Sequence, residues 1–396
     1  MWGLSVSSAK VIRNKKIWLI YIFLCCYVFF INLPGPINAF LKDEFQLDYT
    51  LLSLHASAFA LGVVLTGLFG HIIIDRLTQW QSLAVGTIGL GAGGLLVGFG
   101  NSPFLTISGL FITGLIGTLI LSIYPAILKQ EMGEHQAVGI SEANMFASIV
   151  AALAPLVIGF SADRFYSWRP IVLLFSALVG LLGLWLIFDK SVNQKPVIGP
   201  AGNLPPHGRL PGKFWLYWTS QALGVSIEFC TIYWASLYLI NTLHLTQTQS
   251  AQALSLFLAG MVVGRLVTSK LVMRYSRGSI LTGSIVLVSI GFGLFWWAPS
   301  VFLTLFGLTL MGLGVANFYT MILSLALDAS AGREKLAATR LTLASGIAIL
   351  ILPFVLGYLA DHLGIWLAFG LVGVLLVLLT RVLWIASKIS TPGASS

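Results

Sequence analysis

Charge is the scarcest property of this chain. Asp, Glu, Lys and Arg make up 9% of its 396 residues, where an ordinary soluble domain carries about a quarter. So few ionic side chains cannot cover a soluble fold of this size, and 57% of the residues are hydrophobic with a mean hydropathy of +0.93. Long apolar stretches between short polar breaks instead indicate an all-α polytopic membrane protein. Short segments of strictly alternating polarity are missing, which argues against a transmembrane β-barrel. Cysteine is nearly absent too. Cys25, Cys26 and Cys230 all lie in apolar stretches, with no disulfide framework and no metal-ligand spacing. No D-x-x-x-D pair, no G-x-S-x-G and no nucleotide-binding phosphate loop occurs. These absences speak against a membrane-embedded enzyme, a cofactor or metal, and ATP-driven pumping within the chain.

What the chain does contain is twelve apolar segments, near 17–41, 51–74, 83–99, 104–128, 143–162, 170–188, 214–240, 250–273, 279–298, 301–327, 337–360 and 364–386. Most approach the ~20 residues that cross a hydrocarbon layer. The longer ones imply tilt or protrusion. Lys10, Arg13, Lys15 and Lys16 before the first segment mimic a signal peptide. That run is about 25 residues long without a small-residue cleavage site, so a retained first helix is expected.

The net charge of +9 is not a nucleic-acid patch, because the cations sit at segment ends. With a cytoplasmic N-terminus, 18 of the 22 Lys and Arg fall inside and three (Lys42, Arg164 and Arg169) outside, Arg265 being left within a segment. This bias predicts a multi-pass protein of the cell membrane with both termini cytoplasmic.

The chain also says one thing twice. PLVIGFSADRFYSW begins at Pro155 and PFVLGYLADHLGIW at Pro353, 198 residues later. Gly159/Gly357, Ala162/Ala360, Asp163/Asp361 and Trp168/Trp366 share that offset, as do Gly62/Gly260, Gly114/Gly312 and Arg76/Arg274. Between the copies, residues 189–213 hold five prolines and four glycines and predict a flexible cytoplasmic linker. The expected architecture is therefore two pseudo-symmetric six-helix bundles, residues 1–188 and 214–396, repeated in parallel about an axis along the membrane normal. Transporters built this way place the solute between the halves. A channel would favour a symmetric ring over such a repeat with asymmetric charges.

Twelve segments, a central linker and cytoplasmic ends resemble the major facilitator superfamily over the whole chain. That family tends to carry a glycine–aspartate–basic phrase after its second helix. Here GHIIIDRLTQW supplies Gly70, Asp75 and Arg76, with the glycine one residue too far back and Thr78, Gln79 and Trp80 where a glycine and basic pair are expected. The second-half counterpart, MRYSRG, has no aspartate. Segments 7 and 8 loosely resemble fucose-permease-like sugar:proton symporters through Glu228, Trp234, Tyr238 and the Gly264-Arg265 pair. This similarity implies a polar solute and a proton. Acidic residues that the family carries in segments 1 and 4 have no counterpart.

Charge at bilayer depth is costly unless it meets water or a partner. Glu228 lies midway along segment 7 among apolar and aromatic residues, which suits a coupling proton or a structural polar partner. Arg265 in segment 8 offers a planar fork of donors to carboxylate, phosphate or sugar oxygens. It equally suits a pair with Glu228 or snorkelling to the inner surface. Expected cavity residues are Asn32, Asn38, Tyr124, Gln221, Tyr233, Trp234, Asn317 and Tyr319.

For gating, the phrase ends offer Asp163 and Asp361 at the outer mouth. Asp75 with Arg76, and a Glu142–Arg340 pair, stand at the inner one. The repeated prolines, glycines and tryptophans suit packing and interfacial anchoring. The expected protein is a monomeric secondary transporter moving a small polar or anionic organic solute by alternating access, with protons, solute and membrane lipid as its partners. The rival is proton-driven efflux of lipophilic compounds.

Overall fold

In hydrocarbon, every backbone N–H and C=O must bond within its own segment, so apolar runs of this length fold as helices. The structure, a computed structural model, describes residues 13–189, 210–297 and 300–389. Among the described residues, twelve helices are long and apolar enough to cross a membrane. They are α1 Lys15–Phe45, α2 Tyr49–Phe69, α3 Gln79–Phe99, α4 Pro103–His135, α5 Val138–Phe165 and α6 Arg169–Phe188. The second six are α7 Gly212–Leu243, α8 Gln247–Leu271, α9 Arg277–Trp297, α10 Val301–Asp328, α11 Leu336–Leu363 and α12 Ile365–Lys388. Every expected segment forms, and α4 runs well past its expected end at 128. Apart from its two ends, the 189–213 linker lies outside the described residues.

Turn chemistry sets the starts. Asp48 caps α2, while Thr78 and Thr246 each close a capping box with a glutamine three residues on, Gln81 and Gln249. Successive helices alternate in direction. The face carrying Lys15 and Lys388 is termed the terminal face, and the opposite one the far face.

The 198-residue repeat extends to atomic packing. A Cβ on Gly62 would strike the backbone of Leu115, and one on Gly114 the carbonyl of Phe59. In the second half a Cβ on Gly260 would strike the Thr309 carbonyl, the repeat equivalent of Phe111 beside Gly62, with Leu313 close by, and one on Gly312 the carbonyl of Phe257. The α2–α4 joint is thus rebuilt, residue for residue, between α8 and α10. Small side chains allow that close backbone approach. The interruptions repeat as well: α4 breaks at Thr118 and α10 at Ala316 and Asn317. Helix α1 breaks at Leu33, where Pro34 and Pro36 remove two N–H donors, while its counterpart α7 is continuous.

The halves meet where α2 packs on α11 and α5 on α8. Both copies of the doubled phrase lie on these interface helices. Gly159 abuts Gln252 of α8, and Gly357 abuts the Tyr49 carbonyl of α2 and the indole of Trp234. The tryptophans part company from the sequence expectation of paired anchors. Trp366 is 40% exposed, but Trp168 is 3% exposed, covered by the Arg169 guanidinium 4.8 Å from its ring.

Candidate functional site

Helices α4 and α10 carry the first clue. Just on the terminal side of their breaks, Ser122 and Thr320, which are repeat equivalents, are both exposed, as is Tyr319 at 41%. Tyr124 beside them is half-buried. Tyr319, from the second half, lies within electrostatic range of Tyr124 from the first and of Glu228. The three side chains therefore border one space between the halves.

Glu228 occupies the middle of α7. Residues 224–227 and 229–239 around it are buried, yet Glu228 itself is partly exposed. A side chain that meets open space in the centre of a buried run borders the interior cavity. Its charge neighbours are Arg265, Tyr233 and Tyr319. Arg265 is exposed and donates through Nη1 to Ser148 Oγ of α5 at 2.5 Å, so it ties the two halves together. It makes no ion pair with Glu228.

The remaining expected cavity residues are buried and mostly committed. Asn38 donates to the Tyr233 carbonyl at 2.8 Å, and Tyr233 Oη to the Ile31 carbonyl at 3.3 Å, both across the halves. Asn32 bonds back to Val28 in its own helix, and Asn317 Nδ2 donates to Ser284 Oγ at 2.9 Å. Trp234 is fully buried, its indole N–H on the Pro353 carbonyl at 3.0 Å. It faces the α7–α11 joint, not the cavity, because Gly357 leaves room for its ring. Gln221 is buried with neither amide atom bonded.

At the far face, Asp361 of α11 reaches the start of α2. Oδ1 accepts from the Tyr49 N–H at 2.8 Å, and Oδ2 from the Thr50 N–H at 2.7 Å and Thr50 Oγ1 at 2.5 Å. These are orphan N–H groups of a helix N-terminus, the end that favours an anion. Gln247 of α8 also bonds to Asp43 of α1 there. Asp163, the repeat partner of Asp361, is exposed and makes no hydrogen bond or ion pair among the described residues.

The terminal face differs from expectation. Glu142 does not pair with Arg340. It accepts from Arg13 Nη2 at 2.5 Å and from Tyr21 Oη at 2.8 Å, all within the first half. Arg340 is exposed, its carbonyl taken by the Trp218 indole at 2.8 Å. Proximity to the start of α1 wins over repeat alignment. Asp75 and Arg76 are exposed in the turn after α2. His55 is buried, with Nε2 on Thr106 Oγ1 at 2.8 Å, and fastens α2 to α4.

The family model described as Major Facilitator Superfamily matches residues 20–249 and again 217–395. The chain belongs to the major facilitator superfamily. It is 22% identical over 222 residues to an uncharacterized MFS-type transporter of Yersinia pestis, covering 55% of this chain and 56% of that protein. The chain thus matches little more than half the length of that relative.

Among solved superfamily structures it is similar to the nucleoside transporter NupG in a mutant form (TM-score 0.78, 13% identity, 95% and 100% of the two chains). It also resembles a bacterial homologue of the human lysosomal transporter Spinster, inward-facing and unoccupied (TM-score 0.73, 14% identity, 95% and 98%). The E. coli fucose:proton symporter follows at TM-score 0.61, with 17% identity over 95% and 100%. Family and fold make this a multi-pass membrane protein with the fold of that superfamily.

Proposed function

We propose that the chain carries a small polar or anionic organic solute by alternating access, coupled to protons through Glu228. The observation that carries this reading is the carboxyl of Glu228, bordering the interior cavity at mid-membrane depth without an ion pair. A charged carboxylate there resists passage through closed, dry states, and a proton removes the charge. Arg265, Tyr124, Tyr319, Ser122 and Thr320 then supply donors and acceptors to an oxygen-rich solute. With the terminal face cytoplasmic, the cavity opens inward and the Asp361 cap on α2 latches the outer mouth.

The test uses Glu228→Gln in proteoliposomes, with a solute first identified by a thermal-shift screen of sugars, nucleosides and organic acids. The variant should keep solute exchange while losing nearly all accumulation driven by a pH gradient. Full gradient-driven accumulation removes the proton role. Stabilisation by lipophilic cations alone favours efflux of lipophilic compounds instead.

A further inference from the structure

The two halves part company at one joint. In the first half, α3 and α6 press together through glycines: a Cβ on Gly91 would lie 2.6 Å from Gly180 Cα, and one on Gly183 2.9 Å from the Ile88 backbone. Gly94 and Gly98 likewise have no room for a Cβ beside Ser176 and Leu173 of α6. Shifted by 198, these five positions are Ser289, Phe292 and Trp296 of α9, and Leu378 and Arg381 of α12. Each glycine of the tight joint has a bulkier residue in its place. Helices α9 and α12 are correspondingly prised apart, and all five side chains line a groove of about 920 Å³ between them.

The groove faces away from the central cavity. Its walls include Val374 and Val377, 55% and 66% exposed on the outer surface of α12. From Gly370 to Trp384 it follows fourteen steps of helix, about 21 Å at 1.5 Å per residue. That is about two thirds of a ~30 Å hydrocarbon core, so the groove runs from near the far ends of the two helices past mid-depth towards the terminal face. Its walls are apolar and aromatic apart from Ser289, whose hydroxyl bonds back to the Ile285 carbonyl, and the terminal side, where Thr380 and Arg381 stand beside Trp384. Arg381 has no acidic partner among the described residues, although it lies seven residues inside the end of α12. One turn beyond Trp384, Lys388 sits 3.6 Å from its ring, adding a second cation at the membrane surface.

A guanidinium without an acidic partner at the terminal-side end of a long apolar groove matches an amphiphile with a phosphate head and an acyl tail. We propose that the α9–α12 groove is a binding site for an anionic phospholipid of the leaflet on the terminal side. Its phosphate sits on Arg381 and one acyl chain runs towards Phe292 and Trp296. This site is independent of the transported solute and of Glu228.

Native mass spectrometry of the detergent-purified full chain, titrated with phosphatidylglycerol or phosphatidylcholine, tests it. The wild type should retain one phosphatidylglycerol in preference to phosphatidylcholine. Arg381→Gln should lower that preference about fivefold, the factor one basic residue near an anionic surface is worth. Val374→Phe, which fills the groove without touching charge, should lower retention of both lipids. Undiminished preference in Arg381→Gln overturns the proposal. So does the absence of any preference in the wild type, a measurement that needs no variant to fold. Glycerol 1-phosphate competing as well as the intact lipid would assign the site to a soluble phosphate and overturn the lipid reading.

Discussion

A methyl group at Gly312 has nowhere to go, because the Phe257 carbonyl is main chain and cannot rotate aside. Gly312→Ala should therefore lower stability by about 1–3 kcal/mol, the usual cost of overpacking. Gly283→Ala, with nothing within 4 Å of its Cβ, should leave the thermal unfolding midpoint in detergent unchanged. Equal midpoints for both variants would contradict the tight joint. At this scale the sequence was a partial guide. Glu228 and Arg265 stood out because charge is costly at bilayer depth, and both come near the cavity. Partners were harder to read. Glu142 aligns with Arg340 in the repeat, but its bonds run to Arg13, just before α1, and to Tyr21 of α1, a choice made by tertiary packing. Trp234 resembles a cavity residue in sequence, and only the space left by Gly357 turns it into the α7–α11 joint.

Helices α2 and α11 run antiparallel across the interface, so the end of one faces the start of the other. Asp361 uses that arrangement, capping α2 from the opposite half. Charge-assisted bonds of this kind are worth about 1.5–3 kcal/mol each. Asp361→Asn should weaken the latch and raise the population open at the far face by about tenfold or more, since 1.4 kcal/mol is a factor of ten. Spin labels at Phe165 and Leu363, repeat equivalents 57% and 54% exposed at the far ends of α5 and α11, report it. Their distance distribution should gain a longer component in the variant, with the native cysteines replaced. An unchanged distribution would leave the cap without a gating role. The break in α1 has a local cause in Leu33-Pro34-Gly35-Pro36, although 17–41 reads as one apolar segment. Those in α4 and α10 have no proline at Thr118 or Ala316, and no local signal announces them.

For the whole molecule, the repeat and the twelve apolar runs carried most of the fold, because membrane helices satisfy their own backbones and the offset of 198 persists without a gap. The α9–α12 groove was invisible until α3 and α6 were known to touch through glycine. Orientation rests on the cation bias and is directly testable. Single cysteines at Asn101 and Ser300, both exposed at the far face, should label with an impermeant reagent in intact cells. Labelling only after permeabilisation would invert the topology.

The uneven stitching between the halves has a kinetic consequence. Bonds from Asp361, Asn38, Tyr233 and Gln247 gather from mid-depth to the far face, whereas Arg265–Ser148 holds the terminal side. An empty carrier must break the larger set to turn round, with no bound solute to compensate. On the proposed alternating-access cycle, return of the unloaded protein should then be the slow leg of turnover. Labelled solute should enter vesicles preloaded with unlabelled solute faster than it enters empty ones.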